Sequence, residues 1–103
     1  MAFYIRHLMG NGESSPPLDR LPALLDELEN AEDEHPDVSL THESGWGLSV
    51  FASGLVIFEN VEEGNDPRHR RRCKRSEILT MFEELARGDL AALNARRWRP
   101  GYK

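Results

Sequence analysis

Residues 38–61, VSLTHESGWGLSVFASGLVIFENV, decide the fold of this chain. They contain three candidate strands: residues 38–43, 47–53 and 55–61. The first alternates apolar and polar side chains, which is typical of a strand with one buried face. The third is apolar at successive positions, as in a central strand covered on both faces. Because the connections SGWG and SG are short and contain glycine, the stretch predicts an antiparallel meander.

The sequence on either side of this meander predicts one more strand and two to three helices. Residues 2–9, AFYIRHLM, alternate as a strand does. Leucines recur at helical spacing between residues 18 and 28 and indicate an amphipathic helix of about three turns. A second helix is predicted from Ser76, its N-cap, to a stop at Gly88, and Asp89 can cap a short third helix.

Two polar segments are predicted to be loops, GNGESSPP at residues 10–17 and EEGNDPRHRRRCK at residues 62–74. The predicted fold is therefore α+β, in the order β-α-β-β-β-α-α. It has a small antiparallel sheet of about four strands with helices on one face. Residues 1–103 are predicted to be a single domain, because a chain of this length has no room for a second core.

Cysteine content and hydropathy predict a cytoplasmic location. Cys73 is the only cysteine, so no internal disulfide can form, and a reducing compartment is expected. The first 15 residues lack the basic start and long apolar middle of a secretory signal. No window approaches the ~18 apolar residues of a membrane span, so we expect no membrane association.

Charge is distributed unevenly along the chain, although the net charge is only -5. Residues 1–66 contain 14 acidic residues against two arginines, a balance of -12. Residues 67–103 contain four acidic residues against eleven lysines and arginines, a balance of +7. Such a distribution bears on the choice of partner and on association, not on the fold.

The stretch DPRHRRRCKR, residues 66–75, is the candidate for binding nucleic acid. Its charge density suits a phosphate backbone, but it has no interleaved aromatic residues to stack on bases. Acidic residues elsewhere on so small a domain lie within a few Debye lengths and would repel a polyanion. The arginines can instead pair within the molecule, remain solvated or contact a protein. A nucleic-acid-associated or regulatory module that uses residues 68–75 is our alternative hypothesis, and we expect no specific nucleic-acid binding.

Two acidic clusters and a tryptophan form the candidate partner-binding site. The first cluster is Glu29, Glu32, Asp33, Glu34 and Asp37, and the second is Glu59, Glu62, Glu63 and Asp66. Trp46, flanked by two glycines, is expected near both clusters as an exposed anchor, although a tryptophan that begins a strand is often buried. An aromatic anchor surrounded by charge is typical of an interface hot spot. Acidic charge would attract a basic partner.

The sequence gives little support to catalysis. The four histidines fall on two predicted strands and two predicted loops: His7, His35, His42 and His69. Only His69 and Cys73 have ligand-like spacing, and without further ligands nearby they make no zinc site. No motif for a phosphate loop, a dinucleotide site or a serine nucleophile is present. We therefore expect no catalytic residue, metal or cofactor. A small enzyme that uses Cys73 or the histidines is the third and least favoured hypothesis.

Small size, an acidic surface and an α+β layout resemble bacterial immunity proteins. The runs GWGLSVFASGLVIFENVEE, SEILTMFEELARGDLAAL and WRPGY are also similar to a group of small bacterial proteins with no assigned chemistry. Immunity proteins are cytosolic partners of polymorphic or contact-dependent toxins, many of which are nucleases. The resemblance implies a non-enzymatic protein that binds a cognate toxin domain and covers its active site.

Overall fold

The computed structural model describes residues 2–63 and 65–102, without the side chains of Asn65 and Asp66. These residues form seven strands and three helical segments. The strands are β1 Phe3–Arg6, β2 Gly12–Ser14, β3 Asp37–His42, β4 Trp46–Phe51, β5 Val56–Asn60, β6 Asn65–Arg70 and β7 Arg99–Pro100. The helices are α1 Leu21–Asp26, which lies between the 3₁₀ turns Leu18–Arg20 and Glu27–Asn30, then α2 Arg75–Ala86 and α3 Leu90–Asn94.

All of these strands belong to one antiparallel sheet in the order β2-β1-β3-β4-β5-β6-β7. Strands β3, β4 and β5 form the predicted meander, and the α+β class is confirmed. The predicted number of about four strands is wrong, because the described residues form seven. Helix α2 packs against β3 and β4. No helix in the described part of the chain is long and apolar enough to cross a membrane.

The core lies between the sheet and the helices. One row of cross-strand neighbours runs over the middle of the sheet: Ile5, Leu40, Leu48 and Phe58. Each is at most 1% exposed. Helices α1 and α2 supply the facing side chains, of which Leu21, Met81, Phe82 and Leu85 are fully buried. Burying side chains of this size stabilises the fold by about 1.5–3 kcal/mol each before the entropy cost of ordering them.

The prediction of a loop over residues 62–74 is wrong in its central part. Residues Asn65–Arg70 form β6, which pairs with β5 through Phe58 opposite Arg68 and Ile57 opposite His69. Two described residues of β6 that face inward, Arg68 and Arg70, are arginines, whose long aliphatic stems can cover apolar surface. A strand of this composition has no alternating apolar pattern, and so hydrophobic periodicity does not predict it.

The prediction of a loop over residues 10–17 is wrong where it contains β2, and β7 is not predicted either. These outer strands contain only three and two residues, too few for an alternating pattern. Helix α2 begins at Arg75 with Lys74 as N-cap and no side-chain cap, so the prediction of Ser76 as N-cap is wrong. The predicted stop at Gly88 is confirmed by its φ of +75°, which favours glycine. The predicted cap of α3 is also confirmed, since Asp89 Oδ1 accepts from the Ala92 amide at 3.2 Å.

Candidate functional site

The sheet has one face covered by the helices and an opposite face that we term the open face. Register places two rows of side chains on it. The first row is Arg6, Ser39, Ser49, Ile57 and His69, and the second is Tyr4, Thr41, Gly47 and Glu59. These residues alternate with the buried row of the core, as the period of a strand requires.

A shallow trough of about 230 Å³ lies along the middle of the open face. Its lining residues from the two central strands are small: Ser39, Thr41, Gly47 and Ser49. Larger side chains form its walls, with Tyr4 and Arg6 on β1 and Glu59 and Val61 at the β5 side. Gly47 keeps the floor low, because a Cβ there would lie 3.2 Å from Thr41 Oγ1.

Exposed apolar and aromatic side chains gather around this trough. The described residues include four large exposed hydrophobic side chains, and Tyr4 and Val61, about half exposed, line the trough. A third, Tyr102, donates its hydroxyl to Glu59 Oε2 at 2.7 Å and so lies beside the trough wall. The Glu59 carboxylate raises the pKa of Tyr102, because it accepts the phenolic proton in a hydrogen bond. The fourth, Met9, lies outside the trough lining.

The exposed residues Glu62 and Glu63, which we term the acidic turn, follow β5 at the same end of the sheet. Buried Asn60 fixes this turn, since its Oδ1 accepts from both glutamate amides at 3.0 Å. Gly45 contributes a φ of +93°, and a Cβ at that position would lie 2.7 Å from Asn60 Oδ1. The predicted contribution of Asp66 concerns a side chain outside the described part of the chain.

The first acidic cluster lies at the other end of the sheet. Asp37 begins β3 opposite Phe51, whereas the second row of the open face crosses β3 at Thr41, four residues further along. Four residues of strand span about 13 Å. The exposed members of this cluster are Glu29, Glu32, Asp33 and Glu34. The two predicted clusters therefore do not form one face.

Trp46 is partly buried, which fits the alternative of a tryptophan packed at the start of a strand better than an exposed anchor near both clusters. Trp46 lies on the helix-covered face and is partly buried, with its ring stacked on Phe58 at a centroid distance of 4.7 Å. Trp98 also stacks on Phe58, at a centroid distance of 5.1 Å. The guanidinium carbon of Arg68 lies 4.9 Å from the Phe58 centroid and 5.5 Å from that of Trp46. Trp46 thus contributes to the core through an aromatic and cation–π stack.

Part of the basic stretch therefore supports the fold. Arg68 donates to Asn94 Oδ1 at 2.9 Å, which ties β6 to α3. Arg70 donates to Glu77 Oε2 at 2.8 Å and to the Arg97 carbonyl at 2.9 Å. The period of a strand turns these two arginines toward the helices. The hypothesis of intramolecular pairing is supported for these residues.

The remaining basic residues point to solvent. Arg71, Arg72 and Lys74 are exposed and form no ion pair with any residue whose side chain the structure describes. Arg75 is different, because its guanidinium lies 2.7 Å from Asp26 and donates to the Pro22 carbonyl. No exposed aromatic side chain of the described residues accompanies the three solvated cations. Within residues 66–75, this short segment is the part that remains available to an anionic partner.

The described histidines and the cysteine are engaged in structural contacts. His42 Nδ1 accepts from the Ser44 hydroxyl at 2.9 Å and from its amide, but His42 Nε2 is buried with no described partner. A serine–histidine pair without an orienting carboxylate lacks the third group of a triad. Burial raises the pKa of the Cys73 thiol, which disfavours the reactive thiolate.

One group of ligand-type side chains lies in the loop before β3. The side chains of Glu32, Glu34 and His35 bring one ligand atom each within 4.8 Å of the others. His35 Nδ1 is already hydrogen-bonded to Glu32 Oε1 at 2.9 Å. The two glutamates are exposed, so water competes for any ion at this position.

His7 forms a clasp between two carboxylates. Its Nδ1 lies 2.6 Å from Glu27 Oε2, and its Nε2 lies 3.1 Å from Glu13 Oε1. These contacts link β2 to the first helical segment, and Glu27 also accepts from the Leu8 amide at 2.9 Å. The hydrogen bond to Glu27 raises the pKa of His7 above its ordinary 6.5, because both carboxylates favour the imidazolium.

We expect this clasp to make stability depend on pH. Since the folded pKa is the higher one, its contribution is complete below pH 6.5 and is lost as pH rises through the folded pKa. A His7→Gln variant should therefore lose more free energy of unfolding at pH 5.5 than at pH 9, with a difference of up to about 1 kcal/mol. Urea denaturation at both pH values measures this difference. Equal losses at the two pH values would contradict the prediction.

Comparisons of the chain with protein families, with curated proteins and with solved structures find no match.

Proposed function

We propose that this chain is a non-enzymatic immunity protein of the cytoplasm, which binds a cognate toxin domain and blocks its active site. The observation that supports the proposal is the composition of the open face at one end of the sheet. There the trough, two tyrosines and the acidic turn lie together, uncovered by the helices. Tyrosines are enriched at the centres of protein interfaces, and a standard interface needs about 800 Å² from each partner.

The negative charge at this end of the open face indicates which kind of toxin could bind there. Glu59, Glu62 and Glu63 lie within a few residues of one another on β5 and the turn that follows it. A face with this charge attracts a basic surface and speeds encounter. Nucleases bind phosphates through basic residues, so the carboxylates would occupy the positions of substrate phosphates. A nuclease domain is therefore the proposed target.

The test is a copurification followed by an inhibition assay. The affinity-tagged chain is recovered from its native cells, and proteins that follow it are identified by mass spectrometry. We expect a toxin domain whose activity falls to background at a 1:1 ratio with this chain. Recovery without any such protein, or a bound toxin that stays fully active, would count against the proposal.

The exposed side chains offer a matched pair of variants for the same assay. Tyr4→Ala removes a half-exposed aromatic ring from the trough wall, and Met9→Ala removes an exposed apolar side chain outside it. We expect Tyr4→Ala to weaken toxin binding at least fivefold, because interface tyrosines often carry binding energy. Met9→Ala should leave the dissociation constant unchanged. If the two variants behave alike, the partner does not use the open face.

Enzymatic activity of the chain itself is not part of this proposal. We expect no turnover of standard nuclease, esterase or phosphatase substrates, because Cys73 is held as a thiol and the His42–Ser44 pair lacks an orienting group. Turnover that disappears in a Cys73→Ala, His69→Ala or His42→Ala variant would contradict this expectation.

A nucleic-acid-binding module remains the second candidate, favoured by the solvated cations Arg71, Arg72 and Lys74. Three cations without stacking partners can release only a few counterions. We expect binding to a random duplex at physiological salt to be no tighter than about 10⁻⁴ M. Fluorescence anisotropy measures this affinity. Micromolar binding that is lost in an Arg71→Ala, Arg72→Ala variant would support the second candidate instead.

A further inference from the structure

We infer that the trough on the open face is a pocket for one long cationic side chain, lysine or arginine. Its volume of about 230 Å³ is below the range of about 300–1,000 Å³ that is usual for small-molecule sites, and suits a single large side chain. That this cationic side chain belongs to a toxin domain rests on the proposed function. The pocket itself rests on the geometry and charge of the trough.

The charge that remains free in the trough is negative. Arg6, on one wall, is neutralised by Asp37, whose Oδ2 accepts from its guanidinium at 2.9 Å. Glu59, on the other wall, accepts one hydrogen bond from Tyr102 at Oε2 and none from a described residue at Oε1. The acidic turn follows Glu59 within four residues and adds two exposed carboxylates. A cation entering the trough therefore meets an unshared carboxylate oxygen.

The other lining groups suit the rest of such a side chain. Ser39, Thr41 and Ser49 line the trough, and a hydroxyl oxygen can accept a hydrogen bond from an ammonium or guanidinium group. Tyr4 and Val61 present apolar surface at the walls, against which the methylene groups of lysine or arginine can pack. The tyrosine ring also attracts a cation over its face.

Occupants of other chemistry fit less well. An anion would face the carboxylates of Glu59 and of the acidic turn, and charges of the same sign repel. An apolar side chain would remove water from a carboxylate and three hydroxyls without replacing their hydrogen bonds, which costs free energy for every group left unpaired. A cationic side chain satisfies the carboxylate and the hydroxyls together.

Tyr102 acts as a positioning residue for this pocket. Its 2.7 Å hydrogen bond fixes the Glu59 carboxylate against the wall, with Oε1 left for a ligand. The backbone next to Tyr102 is itself anchored, because Gly101 accepts at its carbonyl from buried His69 at 2.9 Å. Removing the tyrosine hydroxyl should therefore loosen the carboxylate without changing the net charge of the trough.

The test uses the whole chain, labelled with ¹⁵N, and three blocked tripeptides: Gly-Arg-Gly, Gly-Lys-Gly and the neutral Gly-citrulline-Gly. Amide chemical shifts are followed in an NMR titration. We expect the arginine and lysine peptides, but not the citrulline peptide, to shift the amides of Thr41, Gly47 and Ser49. Equal shifts with the citrulline peptide, or shifts confined to the acidic turn, would overturn the inference.

Two isosteric variants make the result specific. Glu59→Gln should weaken binding of the cationic peptides at least fivefold, and Tyr102→Phe should weaken it by a smaller factor. Glu29→Gln, at the far end of the sheet, removes the same charge and should have no effect.

Gly47→Val should fill the floor of the trough and abolish peptide binding, and a dispersed NMR spectrum would confirm that the variant folds. Unchanged affinity in Glu59→Gln would overturn the inference even if Gly47→Val does not fold.

The outcome is separate from that of the proposed function. The peptides need no toxin, so cationic peptides bound in the trough together with no toxin recovered from cells would support the pocket and reject the immunity role. A toxin that is bound and inhibited with the same affinity by wild type and by Glu59→Gln would support the immunity role and reject the pocket.

Discussion

A Phe58→Ala variant should lose about 3–5 kcal/mol of the free energy of unfolding, the range expected when a buried phenylalanine is truncated. Phe58 is fully buried in the central row of the sheet, and its ring stacks with both Trp46 and Trp98, with Arg68 beside it. The truncation removes the shared member of two aromatic contacts and leaves a cavity beneath the arginine. Because a domain of this size is stabilised by only about 5–15 kcal/mol, the variant should be close to unfolding.

Tryptophan fluorescence is a suitable measurement for this variant. The chain contains two tryptophans, Trp46 and Trp98, and both stack on Phe58. Unfolding monitored by tryptophan fluorescence therefore reports directly on the aromatic cluster of Trp46, Phe58 and Trp98. Phe58→Leu is the control, since it keeps most of the volume and should lose less than Phe58→Ala. A loss below about 1.5 kcal/mol in Phe58→Ala would show that the cluster contributes little beyond ordinary surface packing.

The arginine of this cluster explains why the sequence predicted only part of the sheet. The apolar alternation of β3 and β4 indicated strands because one face is buried under helices. In β6 the residues at the corresponding inward positions are Arg68 and Arg70, whose apolar stems are not visible to a count of hydrophobic residues. Pairing with β5 supplies the backbone hydrogen bonds that the composition of β6 does not suggest.

The trough could not be predicted from the sequence for a different reason. Its floor combines Ser39 and Thr41 of β3 with Gly47 and Ser49 of β4, and its walls come from β1 and β5. Each of these residues is unremarkable by itself. They form one surface only through the register of four strands, which single-sequence patterns do not determine.

The acidic residues show the opposite situation, in which the composition was informative and the arrangement was not. Glu32, Asp33, Glu62 and Glu63 are exposed, as expected of charged surface residues, whereas Asp37 and Glu59 are only partly exposed. Their separation follows from β3, which runs the length of the sheet between them. The positions of the clusters along the chain do not indicate this distance. A strand separates the residues at its two ends, whereas a hairpin brings residues that are distant in sequence into contact.

Charge reversal at the acidic turn should slow association with a basic toxin. A Glu62→Lys, Glu63→Lys variant replaces two negative charges by two positive ones at the proposed binding end. We expect the on-rate at low salt to fall tenfold or more, on the order of 1.4 kcal/mol, because long-range attraction acts mainly on encounter. The effect should shrink at high salt, where a shorter Debye length screens exposed charges. Surface plasmon resonance at two salt concentrations measures both rates.

The other end of the sheet provides the control for this experiment. A Glu32→Lys, Asp33→Lys variant changes the net charge by the same amount, but about 13 Å or more further along the sheet, beyond one Debye length at physiological salt. At physiological salt its on-rate should therefore stay near that of wild type, whereas at low salt, where the Debye length exceeds this separation, it does not serve as a control. Both variants should keep nearly unchanged thermal stability, because exposed charges contribute little to folding. If both reversals slow association equally, only the net charge of the protein attracts the partner. If neither does, the acidic turn serves solubility and the immunity proposal loses its electrostatic support.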